Sequence, residues 1–127
     1  MVSNQHEYIK INFAKKDKPG RAFLRVVTFK DGDYEIAYIP SLNLSGYGKT
    51  EQEAFYMLIE VVLKDYIDSL RQMTEAQVMA ELREFGWERR PFLDKQLLNT
   101  EHFSLDKIAE NFNLPAETEF HEKYVTA

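Results

Sequence analysis

The stretch that decides the fold is Tyr34-Glu-Ile-Ala-Tyr-Ile-Pro40, then Ser41-Leu-Asn-Leu-Ser-Gly-Tyr-Gly-Lys-Thr50, then the run from Glu51 to Leu70. It predicts a strand, a tight glycine-bearing loop and a long helix. Thr50 stands where the N-cap belongs, and Glu53 follows three residues on. Thr50-x-x-Glu53 is therefore a capping box, in which hydroxyl and carboxylate each accept from an amide the helix leaves unpaired. Behind the cap, Phe55, Leu58, Ile59, Val62, Tyr66 and Leu70 recur at helical spacing. Ala54, Met57, Val61, Leu63 and Ile67 widen the stripe, and a helix so broadly apolar calls for cover on more than one side.

Working outward, residues 7–13 alternate, with Ile9, Ile11 and Phe13 on one side and Lys10 and Asn12 on the other, the period of a half-buried strand. Lys15 to Gly20 is a polar turn punctuated by Pro19-Gly20. Residues 21–30 are apolar on both faces, which predicts a central strand. Asp31-Gly32 suits a two-residue hairpin turn, and Tyr34 to Ile39 form the third strand of an antiparallel meander. Tyr34, Ile36 and Tyr38 share one of its faces; Glu35, Ala37 and Ile39 share the other. Downstream, Thr74-x-x-Gln77 caps a second helix with Val78, Leu82 and Phe85 as its stripe. Gly86 takes the stop position and Trp87 packs back on the last turn. Glu88 to Pro91 breaks structure, and Phe92 to Leu98 suits a short strand or a helical turn. Ser104 caps a third helix bearing Leu105, Ile108, Ala109 and Phe112, ended by Asn113-Leu-Pro115. Glu119 to Thr126 alternates weakly, as an edge strand does.

Pro40, the short loop, and Gly48-Lys-Thr-Glu-Gln-Glu-Ala54 before a long helix resemble the HicB-like antitoxin family. In that family a strand ends near a Pro, and a Gly-Asp-Thr-x-x-Glu-Ala segment opens the helix. The likeness covers 35 to 40 residues well. Asn43-Leu-Ser45 stands where the family often has Pro-Gly-Cys, and Lys49 replaces the usual Asp. The Ser45-Gly-Tyr-Gly-Lys-Thr50 loop is similar to a subgroup variant. The resemblance implies a degenerate ribonuclease H-like domain without catalysis, whose partner is a small basic ribonuclease of the HicA type.

Bulk composition sets bounds. At 127 residues the chain makes one sheet-helix domain over 1–73, with a helical extension over 74–127 packed on it. Aromatics at 13% argue for packing over disorder. With no Cys there are no disulfides, thiolate chemistry or Cys-based zinc sites. No apolar run reaches the roughly 18 residues of a membrane span. The N-terminus lacks a signal peptide's apolar middle, so the cytoplasm is the expected compartment. The net charge is −5, a poor basis for phosphate contact. Acidity concentrates in residues 51–85, with eight Asp or Glu against Lys64, Arg71 and Arg83. That is a solvated helical face, or a surface complementary to a basic partner.

The motifs for chemistry fail on inspection. Ser45-Gly-Tyr-Gly-Lys-Thr50 is no phosphate loop, because Gly46 and Gly48 stand two apart and the segment follows a meander. Both glycines are expected to let the chain turn sharply from strand to helix. His6, His102 and His121 are scattered, so no metal and no cofactor is expected. Asp33, Glu35 and Glu60 are the nearest carboxylates to a residual nuclease site, and turn or surface roles explain each. Leu105 to Pro115 is similar to the first helix of a DNA-binding motif, but the acidic Ala116 to Tyr124 that follows is no recognition helix.

The expected fold is therefore α+β: a three- to four-stranded antiparallel sheet packed against the 50–70 helix, with the helical extension. The expected function is stoichiometric binding of a basic HicA-type toxin, with Tyr34, Tyr38 and Tyr47 as contact residues. Pro40, Gly46, Gly48, Thr50 and Glu53 build the loop and helix cap. Surplus apolar surface on the helix implies a homodimer or burial by the extension. The alternative is a stand-alone structural or small-molecule-binding dimer on the same fold.

Overall fold

Eleven residues, Arg21–Asp31, form the central strand β2 of a computed structural model that describes residues 7–10, 21–89, 96–99 and 103–126. Around it stand β1 (Tyr8–Lys10), β3 (Tyr34–Ile39), β4 (Leu44–Gly48), β5 (Trp87–Arg89), β6 (Gln96–Asn99) and β7 (His121–Thr126). All pairings are antiparallel. They run β4-β3-β2-β1-β6-β5, with β7 also on β2. Phe23 pairs with both Tyr8 and Thr126, and Val27 with both Tyr38 and Glu122. A strand residue has one neighbour per edge. It follows that β7 holds one edge of β2, while β1 and β3 share the other end to end.

Alternation along β2 divides the core. Ala22, Leu24 and Val26 point to one face, with Ala37 and Ile39 of β3. Val27 and Phe29 point to the other, with Tyr38. A strand with both faces apolar needs two covers, and the chain supplies them. The first face lies under a helical run made of α1 (Glu51–Tyr56), a π-helical segment (Met57–Leu63) and α2 (Lys64–Arg71), together with α3 (Glu75–Arg83). The second lies under α4 (Leu105–Asn111) and the segment after it, where Phe112 packs edge-on against Phe29 and Tyr38 at 5.1 and 5.0 Å.

The α+β class stands as the residue periodicity predicts, but the sheet has seven strands and not three or four. Three come from unforeseen or undecided places. β4 forms inside the expected loop, β5 where Glu88 to Pro91 is expected to break structure, and β6 in the stretch that suits a strand or a helical turn. β7 is the edge strand expected over 119–126. The expected helical extension over 74–127 does contribute α3 and α4, yet its strands join the same sheet as β1 to β4. The expected single helix is three segments, and its π-helical centre shifts the phase of the apolar stripe. Leu58 and Leu63 are buried, while Met57 and Val61 are 39% and 40% exposed.

Local signals hold with small adjustments. The β2–β3 turn is Gly32-Asp33, one residue later than expected: Asp31 pairs with Tyr34, and Gly32 has φ 63°. Thr74 and Gln77 close a full capping box at 2.9 and 3.2 Å. Gly86 takes φ 88° after α3. Trp87 beyond it is fully buried and donates from Nε1 to the Ser41 carbonyl at 2.8 Å. Ser104 caps α4 by accepting from the Lys107 amide at 3.1 Å. Asn113 ends it at φ 54°, with Leu114 N–H returning to the Ala109 carbonyl at 2.9 Å. The expected strand beyond Lys10, the polar turn at 15–20, residues 90–95 and both His6 and His102 lie outside the described residues.

Two polar ties hold β2 in place. Where it passes from β1 to β3, a Glu7 carboxylate oxygen accepts from the Arg25 amide at 3.1 Å and the Ser41 hydroxyl at 2.5 Å. On the second face, the Arg25 side chain is only 5% exposed. Its guanidinium pairs with Glu122 of β7 and donates to the Phe103 carbonyl at 2.6 Å. A buried guanidinium is tolerated only when so satisfied.

Candidate functional site

The loop and cap residues assemble at the junction of β4 and α1. Pro40 and Ser41 are buried where β3 leaves the sheet, and Asn43 takes φ 52° to reverse the chain. Gly46 pairs with Ala37 and Gly48 with Glu35, so both lie on the helix face. Neither has positive φ. The expected turning role is therefore wrong for both, and their missing side chains serve a close approach instead. A Cβ on Gly46 would stand 2.6 Å from the Leu58 amide nitrogen and 2.9 Å from the Ala54 carbonyl oxygen. One on Gly48 would stand 2.6 Å from the Glu53 Cβ. The helix lies directly on β4 because these two positions are bare.

Thr50 accepts from the Glu53 amide at 3.1 Å, as the capping box requires. The return bond differs: the Glu53 carboxylate takes the Lys49 amide at 2.9 Å, one residue before the cap. Lys49 in turn stands over the Tyr34 ring, 4.9 Å from its centroid.

Of the three tyrosines expected at a contact, the structure brings two together on the surface. Tyr34 is 43% and Tyr47 63% exposed, and their rings meet edge-on at 5.6 Å. Tyr38 shares their face but not their exposure. It lies beneath Phe112, 8% exposed, with its hydroxyl 3.1 Å from Asn43 Oδ1. Burial pushes its phenol pKa upward. The cover that removes it from the surface comes from α4, more than 60 residues away in sequence, which local periodicity does not register.

The helix carries three more exposed apolar groups, Tyr56, Met57 and Val61. Periodicity flagged Met57 and Val61 as surplus stripe; Tyr56 fell off the stripe and was missed. Beside them Glu51, Gln52, Phe55, Tyr56, Ile59 and Glu60, with Lys123 from β7, line a depression of about 350 Å³. Lys123 Nζ sits 3.7 Å from the centroid of the Phe55 ring. Glu51 accepts from the Thr28 hydroxyl at 2.6 Å and faces His121 Nδ1 at 3.5 Å. The Thr28 bond, then His121 and Lys123, hold its carboxyl below the usual range despite some desolvation. Further along the helical run, in α2, burial and the neighbouring Glu81 carboxylate raise the Tyr66 phenol pKa.

Asp33 sits in the hairpin turn, Glu35 on β3 and Glu60 on the π-helical segment. Among the described residues no three His, Asp or Glu converge as a metal-binding group, and no helix is long and apolar enough to cross a membrane. No family model, curated protein or solved structure matches the chain.

Proposed function

We propose that the chain is a protein-binding module of the HicB-like kind, which occludes a small basic partner of the HicA type stoichiometrically and catalyses nothing. One observation carries the reading. The five exposed large hydrophobic residues, Tyr34, Tyr47, Tyr56, Met57 and Val61, all fall between residues 34 and 61, within the stretch that resembles the family. The other large apolar groups of the described chain are buried or half-buried. Exposed aromatics of this kind are the usual anchors of an interface. Tyr56, Met57 and Val61 lie on the helical run that carries the acidic residues, which would steer a basic partner toward them, while Tyr34 and Tyr47 lie on the other face of the sheet. The test is capture from the native host with tagged full-length protein, read by mass spectrometry at matched salt. A small basic protein in equimolar amount, weakened tenfold or more by Tyr34→Ala with Tyr47→Ala (about 1.4 kcal/mol per tenfold), is the expected result. Recovery of the bait alone overturns the reading.

A second reading, a stand-alone dimer of the same fold, is favoured by Tyr56, Met57 and Val61 lying exposed on one helix. Sedimentation equilibrium decides it. A monomer at tens of micromolar removes it, and a dimer dispersed by Val61→Glu supports it.

A further inference from the structure

The depression between α1, the π-helical segment and β7 already holds a cation of the chain's own. The Lys123 ammonium lies over the Phe55 ring, with Glu51 and Glu60 along the walls. An aromatic face attracts a cation through its quadrupole, and two carboxylates against one ammonium leave the walls net negative. The geometry points to a docking site for one arginine or lysine side chain of a basic protein partner, which displaces the Lys123 head and takes its place on Phe55. This rests on the reading above that the partner is a small basic protein.

The lining favours an organic cation over a bare metal ion. Hard cations want several oxygen ligands, whereas Phe55, Tyr56 and Ile59 offer rings and methylenes. A guanidinium uses both kinds of wall, since its plane stacks on a ring and its fork takes a carboxylate through two N–H groups. Glu51 is already engaged by Thr28 and His121. Glu60 is exposed and carries no ion pair among the described residues, so it is the counter-ion for the incoming group. Tyr56, 63% exposed, supplies a second ring. Lys123 acts as the internal competitor that keeps the site filled when the partner is absent.

The experiment is an NMR titration of the full chain with N-acetyl-arginine amide, with N-acetyl-glutamine amide as the neutral control. Binding of a single such group is expected on the order of millimolar, with saturable shifts confined to Phe55, Tyr56, Ile59, Glu60 and Lys123. Glu60→Gln weakens it. Lys123→Gln tightens it about two- to fivefold, because the competing cation–π contact is gone. Scattered or absent shifts, or unchanged affinity in Lys123→Gln, overturn the site. Glu60, Tyr56 and Lys123 are all exposed, so the fold survives these changes. Failure of the site and failure of the partner reading separate cleanly. If the probe binds here and no basic protein is captured, the partner reading falls and the cation site stands. If a basic protein is captured equally well by wild type and by Tyr56→Ala with Glu60→Gln, the site falls and the partner reading stands.

Discussion

Gly46→Ala is the sharpest perturbation this fold permits. In an extended strand position with φ below zero, replacing Gly by Ala normally stabilises by roughly 0.5–1 kcal/mol through the unfolded chain's lost freedom. Here the sign reverses. The new Cβ stands 2.6 Å from the Leu58 amide nitrogen, about 0.8 Å inside ordinary contact, and 2.9 Å from the Ala54 carbonyl. Both obstacles are helix backbone, so no side-chain rotation relieves them. The helix must lift from β4, and the packing of Ala54 and Leu58, both fully buried, loosens with it. Overpacking of this kind costs about 1–3 kcal/mol and more when backbone must move; about 2–4 kcal/mol is expected. For a chain of this size each kcal/mol is worth roughly 3–5 °C in Tm, so the melting temperature falls by on the order of 10 °C. Urea unfolding followed by circular dichroism gives the free energy. Gly32→Ala is the control: nothing lies within 4 Å of its Cβ, and φ 63° alone costs about 1–2 kcal/mol. A Gly46→Ala protein as stable as wild type, or less damaged than Gly32→Ala, would refute the close-approach argument.

Trp87→Phe leaves the buried Ser41 carbonyl without its donor and opens space beside it; a loss of about 2–4 kcal/mol in urea denaturation is expected. Glu122→Gln removes the partner of the Arg25 guanidinium. Because the Glu122 side chain is 38% exposed, the loss is discounted to about 1–3 kcal/mol, read in the same assay. Thr28→Val deletes the largest cause of the lowered Glu51 pKa, so a carbon-13 carboxyl titration should find it moved back up. In the wild type a carboxyl held low in the fold contributes stability that is present above the unfolded value of 4.5 and lost as pH falls through the folded one. A stability–pH profile that is steeper below pH 4.5 in wild type than in Thr28→Val checks it. Tyr66 behaves in the opposite sense: its raised pKa makes stability full below pH 10.0 and declining above it. Alkaline unfolding should be blunted in Tyr66→Phe, and an unchanged alkaline limb would count against the buried phenol as its cause.

The sequence by itself determined what depends on neighbours in the chain. Thr50, Thr74 and Ser104 announce three helix starts, and all three accept the predicted amide. Period two marks β1, β3 and β7, and the two apolar faces of residues 21–30 place β2 at the centre. These signals are local because a cap or a strand's alternation spans only a few residues.

Tertiary structure alone decided the rest. Leu44 to Gly48 lacks a strand's apolar alternation, and it is a strand because β3 offers it an edge and the helix rests on its glycines. Met57 and Val61, on the π-helical segment, stay outward at 39% and 40% exposure while Leu58 and Leu63 of the same segment are buried. Tyr34 and Tyr38 occupy the same face of one strand, four residues apart, and only α4 decides that one is surface and the other core. Likewise the cation over Phe55 joins residues 55 and 123, and the bond to Glu51 joins 28 and 51. Periodicity reports which side of an element is apolar. It does not report what distant segment arrives to cover that side, and for this chain the exposed remainder is where the function is proposed to lie.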